Sequence, residues 1–255
     1  MAGHSKWANI KRQKARVDAV KGQVFAKMSR EIIVAARLGG PDPAGNFQLR
    51  TAIDKAKAAG VPNDNIDRAI AKGSGQLGAE DGYEAIRYEG YGPGGVAILI
   101  EALTNNRNRT AADLRAAFSK RQGNLGETGC VGWMFEQKGV VTLGHPGDED
   151  HLLEAALEGG AESYDVIDLE DDTPGAEVFC QPPDLEALDA TLKARGYQVQ
   201  QVELRWIPSN TVLVEDPDQA RLLLKLMDVL EDLEDVQSVT ANFDLTEDLL
   251  RAVTG

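Results

Sequence analysis

Residues 95–100 read Gly95-Val96-Ala97-Ile98-Leu99-Ile100, an apolar run with several β-branched side chains. A short run of this kind after a glycine-rich turn is typical of a buried strand. The run Val96–Ile100 has five residues and no apolar run in the chain is longer, whereas a membrane-spanning helix needs about 18 or more. The stretch therefore predicts a sheet within a globular protein, and it excludes a transmembrane protein.

Downstream of this strand the pattern predicts two sheets rather than one. A helix over Thr110–Lys120 and a strand over Val131–Phe135 leave the first sheet incomplete. Residues 140–201 then predict one complete β-α-β-β-α-β unit. The half that the first sheet lacks is supplied by three later segments, a strand near Thr211–Val214, a helix over Ala220–Leu230 and a strand around Val236–Phe243.

Upstream of the sheet, apolar residues at three- and four-residue steps predict three helices. Their stripes are Val20, Val24, Met28, Ile32 and Ala35 in the first, Leu49, Ala52, Ile53 and Ala56 in the second, and Ile66, Ala69 and Ile70 in the third. The chain is therefore predicted to be α+β, with a helical bundle before two α+β domains. The predicted domains are residues 1–76, a discontinuous domain of 77–136 plus 206–255, and an inserted domain of 137–205.

Charge is divided unevenly along the chain. The 27 Lys and Arg stand against 41 Asp and Glu, a net charge of −14. Residues 1–75 hold fourteen basic and six acidic side chains, a net charge of +8, so residues 76–255 carry −22. This asymmetry is typical of a polyanion-binding module on an acidic body. A solvated helix face is the alternative for such a cluster, but an acidic chain is repelled from nucleic acid except where its positive charge collects.

The candidate phosphate contacts lie in three segments. Residues 1–16 lack apolar periodicity and are expected to form an extended or partly ordered arm. On the first helix, Lys27, Arg30 and Arg37 fall within roughly 80° of one another, opposite the apolar stripe. These three cations are expected to form a basic ridge that faces solvent. The loop Asn105–Arg109 adds two arginines, for which pairing with nearby acids is the alternative. The predicted nucleic-acid-binding residues are Lys6, Lys11, Arg12, Lys14, Arg16, Lys21, Lys27, Arg30, Arg37, Arg107 and Arg109.

A helix-turn-helix is the competing interpretation of the bundle. The corner Gly60-Val61-Pro62 joins the second and third helices, and the third would enter the major groove. That helix begins with Asp64 and Asp67, however, and carboxylates suit a helix N-terminus better than they suit a surface facing phosphates. Phosphate contact is therefore assigned to the arm and the first helix, which favours recognition of backbone and shape.

Two further motifs are given structural roles. The loop Gly90–Gly95 precedes a strand rather than a helix, so a tight turn is expected instead of a phosphate-binding loop. The acidic run Glu231–Asp235 is expected to be a solvated helix end, because successive carboxylates on a helix point in different directions and do not converge on a metal ion.

No residue pattern points to catalysis, a metal or a cofactor. The histidines His4, His145 and His151 are far apart and outside any nucleophile or metal motif. The cysteines, Cys130 and Cys180, lack metal-ligand spacing and are expected to be reduced and buried. The basic first residues have no apolar segment behind them, so no secretory leader is predicted and a cytoplasmic location is expected.

Five motifs together resemble the YebC/PmpR family, and the similarity runs from the first residue to the C-terminal strand. They are Met1–Lys11 (MAGHSKWANIK), Ala35–Pro43 (AARLGGPDP), Ala71–Gly75 (AKGSG), Tyr88–Gly95 (YEGYGPGG) and Asn105–Thr110 (NNRNRT). The segment Gly123–Glu127 (GNLGE) stands at the family's expected place. Gln13, Ala15 and Cys130 differ from the residues common in the family. These differences concern the recognition of particular bases and leave the resemblance intact.

The resemblance implies a helical domain followed by two ferredoxin-like α+β domains, in a cytoplasmic bacterial protein with a mitochondrial counterpart. It also implies a nucleic-acid partner. Family members are described as DNA-binding transcriptional regulators, whereas others act on the ribosome, through ribosomal RNA, and assist synthesis through stretches such as consecutive prolines. The sequence leaves DNA and ribosomal RNA open as targets and does not determine the oligomeric state.

Overall fold

The computed structural model describes residues 21–76, 82–169, 173–246, 248–249 and 252. The structure confirms the predicted α+β class, with a helical region before the sheets. Phe135–Ile207 form one compact unit, and the described residues before and after that segment form the other. The finer division into three domains stays a prediction.

The helical region consists of α1 (Lys21–Gly39), α2 (Phe47–Ala58) and α3 (Asn63–Gly73). The predicted stripe of α2 is wholly buried, and the buried part of α1 includes Ile32 and Ala35. Helices α1 and α3 approach closely at Gly73, where a Cβ atom would lie 2.5 Å from the carbonyl oxygen of Ile33. Glycine therefore permits the contact that closes the bundle.

A single buried amide joins α1 to α2. The Asn46 side chain accepts a hydrogen bond from the Leu49 N–H at 3.0 Å, which caps the start of α2. Its NH2 group donates to the carbonyl oxygens of Ala35 and Gly40, both at 2.9 Å. One side chain thus satisfies backbone groups at the end of one helix and the start of the next.

The first sheet is built on the hairpin of β1 (Glu84–Tyr91) and β2 (Ala97–Thr104). Its turn is closed by the Gly92 N–H, which donates to Val96 O at 2.8 Å, and Gly94 and Gly95 have φ values of +75° and +73°. The loop is therefore the expected tight turn between strands, made of residues that tolerate positive φ.

Strands from both sides of the inserted unit complete this sheet. β3 (Asn124–Leu125) pairs with β1, and β9 (Val236–Ala241) pairs with β2, which gives the order β3-β1-β2-β9. The remaining elements of this unit are α4 (Arg107–Ser119), α7 (Pro217–Asp232), and a parallel pair of short strands, β8 (Val212–Leu213) and β10 (Phe243–Asp244).

The predicted strand Val131–Phe135 is wrong. Gly132–Met134 form a 3-10 turn, and the next strand begins only at Phe135. The backbone N–H groups of Val131 and Gly132 donate to a side chain, the Glu89 carboxylate, instead of to a neighbouring strand. The position at the edge of the sheet belongs to β3.

The second sheet has a ferredoxin-like arrangement. In chain order its elements are β4 (Phe135–Gly144), α5 (Glu149–Glu158), β5 (Ala161–Asp168), β6 (Pro174–Cys180), α6 (Leu185–Ala194) and β7 (Gln198–Pro208). The spatial order β5-β6-β4-β7 places the second strand beside the third and the first beside the fourth. The first sheet, β3-β1-β2-β9, has the same order when β2, β3 and β9 are counted as its first, second and fourth strands. The position of the third strand is then filled by β1, although β1 precedes the other three in the chain.

Candidate nucleic-acid interface

The predicted phosphate-binding residues fall into three groups. The arm cations Lys6, Lys11, Arg12, Lys14 and Arg16 lie outside the described residues. Lys21 is the first residue of α1. The remaining five, Lys27, Arg30, Arg37, Arg107 and Arg109, have described side chains, and the structure gives each of them an intramolecular partner.

The predicted basic ridge of α1 is not fully open to solvent. Arg30 is only 6% exposed, because its guanidinium donates to the carbonyl oxygen and the carboxylate of Glu234 and lies 5.6 Å from the centre of the Tyr83 ring. The Lys27 ammonium donates to the carbonyl oxygen of Glu231. The expectation that Arg30 faces solvent is therefore wrong, since helical periodicity does not show that the end of α7 packs on this side of α1.

Arg37, near the C-terminal end of α1, is exposed. Its Nη1 atom donates to the Tyr83 carbonyl oxygen at 3.2 Å. Of the three cations predicted for the ridge, Arg30 is buried, Lys27 is half-buried and only Arg37 is exposed.

The loop Asn105–Arg109 caps α4. The Asn106 side chain accepts from the Arg109 N–H at 3.1 Å, so the loop is a capped turn between strand and helix. Arg107 forms a bidentate pair with Glu84, with Nη2 2.6 Å from Oε2, and its side chain is 66% exposed. Arg109 binds Asp235. The alternative in which both arginines pair with neighbouring acids is what the structure shows.

Asp235 is the most enclosed acid of the run Glu231–Asp235. Its carboxylate accepts hydrogen bonds from Arg109 Nη2 at 2.8 Å, Thr110 Oγ1 at 2.7 Å and Thr104 Oγ1 at 3.1 Å. Burial would raise the pKa of Asp235, but these hydrogen bonds hold the pKa below its usual value. The prediction of a solvated helix end is wrong for Asp235, since α7 ends at Asp232 and the chain then turns back into the core.

The acidic run thus contacts three of the five described candidate cations. Lys27 donates to the backbone carbonyl oxygen of Glu231, whereas the carboxylates of Glu234 and Asp235 bind Arg30 and Arg109. These oxygen atoms occupy positions on the cations that phosphate oxygens would otherwise take. Among the described candidates, Arg37, Arg107 and Arg109 are exposed, and the Arg107 side chain is more exposed than that of Arg109, at 66% against 49%.

A buried carboxylate organises residues 126–134, here named the Glu89 turn. Glu89 is 2% exposed, and it accepts backbone N–H bonds from Gly129 at 2.9 Å, Val131 at 2.8 Å and Gly132 at 2.6 Å. Burial opposes the charge of Glu89, yet the three donors lower its pKa. The sequence analysis missed this turn, and the signal that could have found it is the clustering of glycines around Val131.

The Glu89 turn carries an exposed aromatic side chain. Trp133 is 70% exposed, and its indole Nε1 donates to the carbonyl oxygen of Cys130 at 3.3 Å. The Tyr91 hydroxyl donates to the same oxygen at 3.1 Å. Cys130 is half-buried and Cys180 is buried, so the expectation of burial is met only for Cys180.

The corner between α2 and α3 presents acids. Asp64 and Asp67 are both exposed in the first turns of α3. The side chain of the N-cap residue, Pro62, provides no hydrogen bond to this helix. The acids compensate by placing negative charge near the positive end of the helix dipole, as the sequence suggested.

Within the described ranges, no group of three or more His, Cys, Asp or Glu side chains is arranged to hold a metal ion. None of the helices in the described part of the chain is long and apolar enough to cross a bilayer.

Two family models match the chain. The model for the TACO1/YebC N-terminal domain matches residues 5–76, and the model for the TACO1/YebC second and third domain matches residues 83–243. The gap between the matches coincides with the passage from α3 to β1.

Curated relatives match over almost the whole length. A protein of Microcystis aeruginosa is 69% identical over 250 residues, covering 98% of each chain. One from Trichodesmium erythraeum is 67% identical over 253 residues, covering 99% of each. Both carry the name "Probable transcriptional regulatory protein".

A solved structure has the same fold. The crystal structure of a conserved hypothetical protein from Aquifex aeolicus is 45% identical in sequence, with a TM-score of 0.81, covering 91% of this chain and 94% of that one. Together with the motifs and the order of the helical region and the two sheets, these matches show that the chain belongs to the TACO1/YebC family.

Proposed function

We propose that this protein is a non-enzymatic, nucleic-acid-binding regulator of gene expression, and specifically a DNA-binding transcriptional regulator. The observation that carries the proposal is the division of charge, +8 in residues 1–75 against −22 in the rest. The names of the relatives support a regulatory role in transcription. Electrostatic repulsion from the acidic body directs the basic end toward a polyanion.

The arm cations are assigned the main phosphate contacts. Further contacts are assigned to Lys21, Lys27, Arg37 and Arg107. Arg107 is largely exposed, and its partner Glu84 is half-buried at the surface, so exchange of this carboxylate for a phosphate costs little. Arg30 and Arg109 contribute to binding only where a phosphate replaces their present partners, Glu234 and Asp235.

A second candidate function is that of a ribosome-associated translation factor bound to ribosomal RNA. The exposed Asp64 and Asp67 favour it, because they make α3 a poor recognition helix for the major groove. Recognition without such a helix relies on backbone and shape, which suits folded RNA. The same cations serve both functions, so the experiment must vary the nucleic acid.

The test uses the full chain and a variant with Lys11, Arg12, Lys14 and Arg16 all changed to Ala. A control variant changes four exposed cations outside the predicted set, Arg68, Arg115, Lys120 and Lys225, to Ala. Binding to duplex DNA is measured across salt concentrations. We expect the arm variant to flatten the log-log salt slope by roughly three to four units and the control to change it far less, since each phosphate contact contributes about 0.9.

Selection from a random duplex pool distinguishes the two functions. A sequence that outcompetes random duplex by about 10³-fold or more supports the transcriptional regulator. Equal binding to all duplexes, with sedimentation alongside ribosomal subunits that the arm variant loses, supports the translation factor instead. A chain that binds neither DNA nor ribosomal subunits contradicts both.

A further inference from the structure

Trp133 is an exposed indole on a fixed backbone. The Glu89 carboxylate accepts N–H bonds from Gly129, Val131 and Gly132, and the first of these is four residues before the indole. Because the backbone is already ordered by these bonds, little further entropy is lost when a ligand contacts Trp133. Covering an exposed indole with a ligand is favourable, so Trp133 on this ordered turn offers a large apolar contact surface.

The chemistry that Trp133 offers is the face of its ring. The indole N–H is occupied by the Cys130 carbonyl oxygen, so hydrogen-bond recognition through Nε1 is already used internally. A planar π system binds planar π systems by stacking, and unpaired nucleobases stack on aromatic side chains with little sequence preference.

The charges around the Glu89 turn restrict how a nucleic acid can approach. Arg87 lies two residues before Glu89 on β1 and is exposed, and its positive charge contributes to the low pKa of Glu89. Glu127, also exposed, lies in the turn and repels a phosphate. Arg87 attracts a phosphate and Glu127 repels one, so these charges oppose each other, and the uncharged face of the indole is the part of the turn that suits a base plane.

We infer that Trp133 is a stacking site for an unpaired nucleobase in single-stranded or looped nucleic acid. This inference rests on the proposed nucleic-acid binding and adds to it a preference for unpaired bases. In a duplex the base faces are covered by their neighbours, so a duplex gains nothing from Trp133.

The test compares an unstructured single-stranded oligonucleotide, oligo(dT), with a duplex of the same length, using the full chain. Trp133→Ala is expected to weaken single-strand binding about 5- to 160-fold, because stacking contributes about 1–3 kcal/mol per base. Trp133→Phe retains most of the affinity, since a phenyl ring still stacks. The matched control is Leu213→Ala, which removes another exposed apolar side chain of the same compact unit.

Salt dependence separates stacking from phosphate binding. Stacking releases no counterions, so Trp133→Ala is expected to leave the salt slope for oligo(dT) unchanged while it lowers the affinity at every salt concentration. Equal single-strand affinity in wild type and Trp133→Ala overturns the inference, as does an equal loss for the duplex. If the wild-type chain binds neither strand nor duplex, the proposed function fails and this inference fails with it.

Discussion

Arg109 Nη2 lies 3.1 Å and 2.8 Å from the two carboxylate oxygens of Asp235, a residue 126 positions away in the chain. The pair joins the first turn of α4 to the residue before β9. Asp235 is 5% exposed, whereas the Arg109 side chain is half-exposed. Loss of the pair therefore costs more at the carboxylate, which is buried away from water, than at the guanidinium, which water can still reach.

Asp235→Asn is expected to lower the free energy of unfolding by about 2 kcal/mol, because the charge-assisted bonds from Arg109 and Thr110 are weakened. Urea unfolding at neutral pH measures the change. Asp232→Asn, which removes the same charge at the exposed end of α7, is the control and should change stability by less than about 0.5 kcal/mol. Equal effects from the two substitutions would show that Asp235 acts only through net charge.

The Glu89 turn predicts a pH dependence of stability. The pKa of Glu89 is lower in the folded chain than in the unfolded chain, where it is about 4.3. Ionised Glu89 therefore stabilises the fold fully above about pH 4.3, and the contribution is lost as the pH falls through the lowered folded value.

Glu89→Gln tests this dependence. The variant is expected to be less stable than wild type by about 2 kcal/mol at pH 7, and the difference should narrow as the pH falls below about 4. Urea midpoints between pH 7 and pH 3 give the comparison, with Glu127→Gln as the exposed control in the same turn. A difference that stays constant with pH would contradict an ionised Glu89.

Arg30 is expected to act in folding more than in phosphate binding. Arg30→Ala leaves Glu234 without its partner and removes the cation above the Tyr83 ring, so we expect a loss of about 2 kcal/mol in unfolding free energy. Arg68→Ala on the exposed face of α3 is the control and should cost less than about 0.5 kcal/mol. A stable Arg30→Ala variant with a flatter salt slope would instead place Arg30 among the phosphate contacts.

Gly90 is the position in β1 where a side chain cannot fit. A Cβ atom there would lie 2.7 Å from the Asn124 carbonyl oxygen and 2.8 Å from the Phe118 ring. Gly90→Ala is therefore expected to lower the melting temperature and the urea midpoint, with a cost of about 1–3 kcal/mol. Gly82→Ala has no atom within 4 Å of the new methyl group and should leave both unchanged. A neutral Gly90→Ala would mean that β3 can move away from β1.

Local periodicity predicted much of the fold. Helical spacing over Thr110–Lys120 turns four residues inward, Ala111, Leu114, Ala117 and Phe118; the last three lie in the core, whereas Ala111 is half-buried. The run Val96–Ile100 is buried as expected. The β-α-β-β-α-β order also appears in the structure. These features follow from residues close together in the chain, which is the information that spacing carries.

The contacts that the sequence did not predict join distant residues. Arg30 binds Glu234, and Arg109 binds Asp235, although each of these pairs is separated by more than a hundred residues. The Glu89 turn is a second case, because a side-chain carboxylate replaces the neighbouring strand as acceptor for the backbone. Periodicity assigns a charged residue to a face of an element but does not identify its partner across the fold.

The pairing of β2 with β9 affects how the chain folds while it is being synthesised. The most apolar strand, β2, borders β1 on one side and residues 236–241 on the other. During synthesis, the inserted ferredoxin-like unit is completed first and can close its own sheet, whereas one edge of β2 stays unpaired until residues 236–241 have been made. An open apolar edge invites self-association, so incomplete products that stop before residue 236 are expected to aggregate or recruit chaperones even though the inserted unit within them is intact.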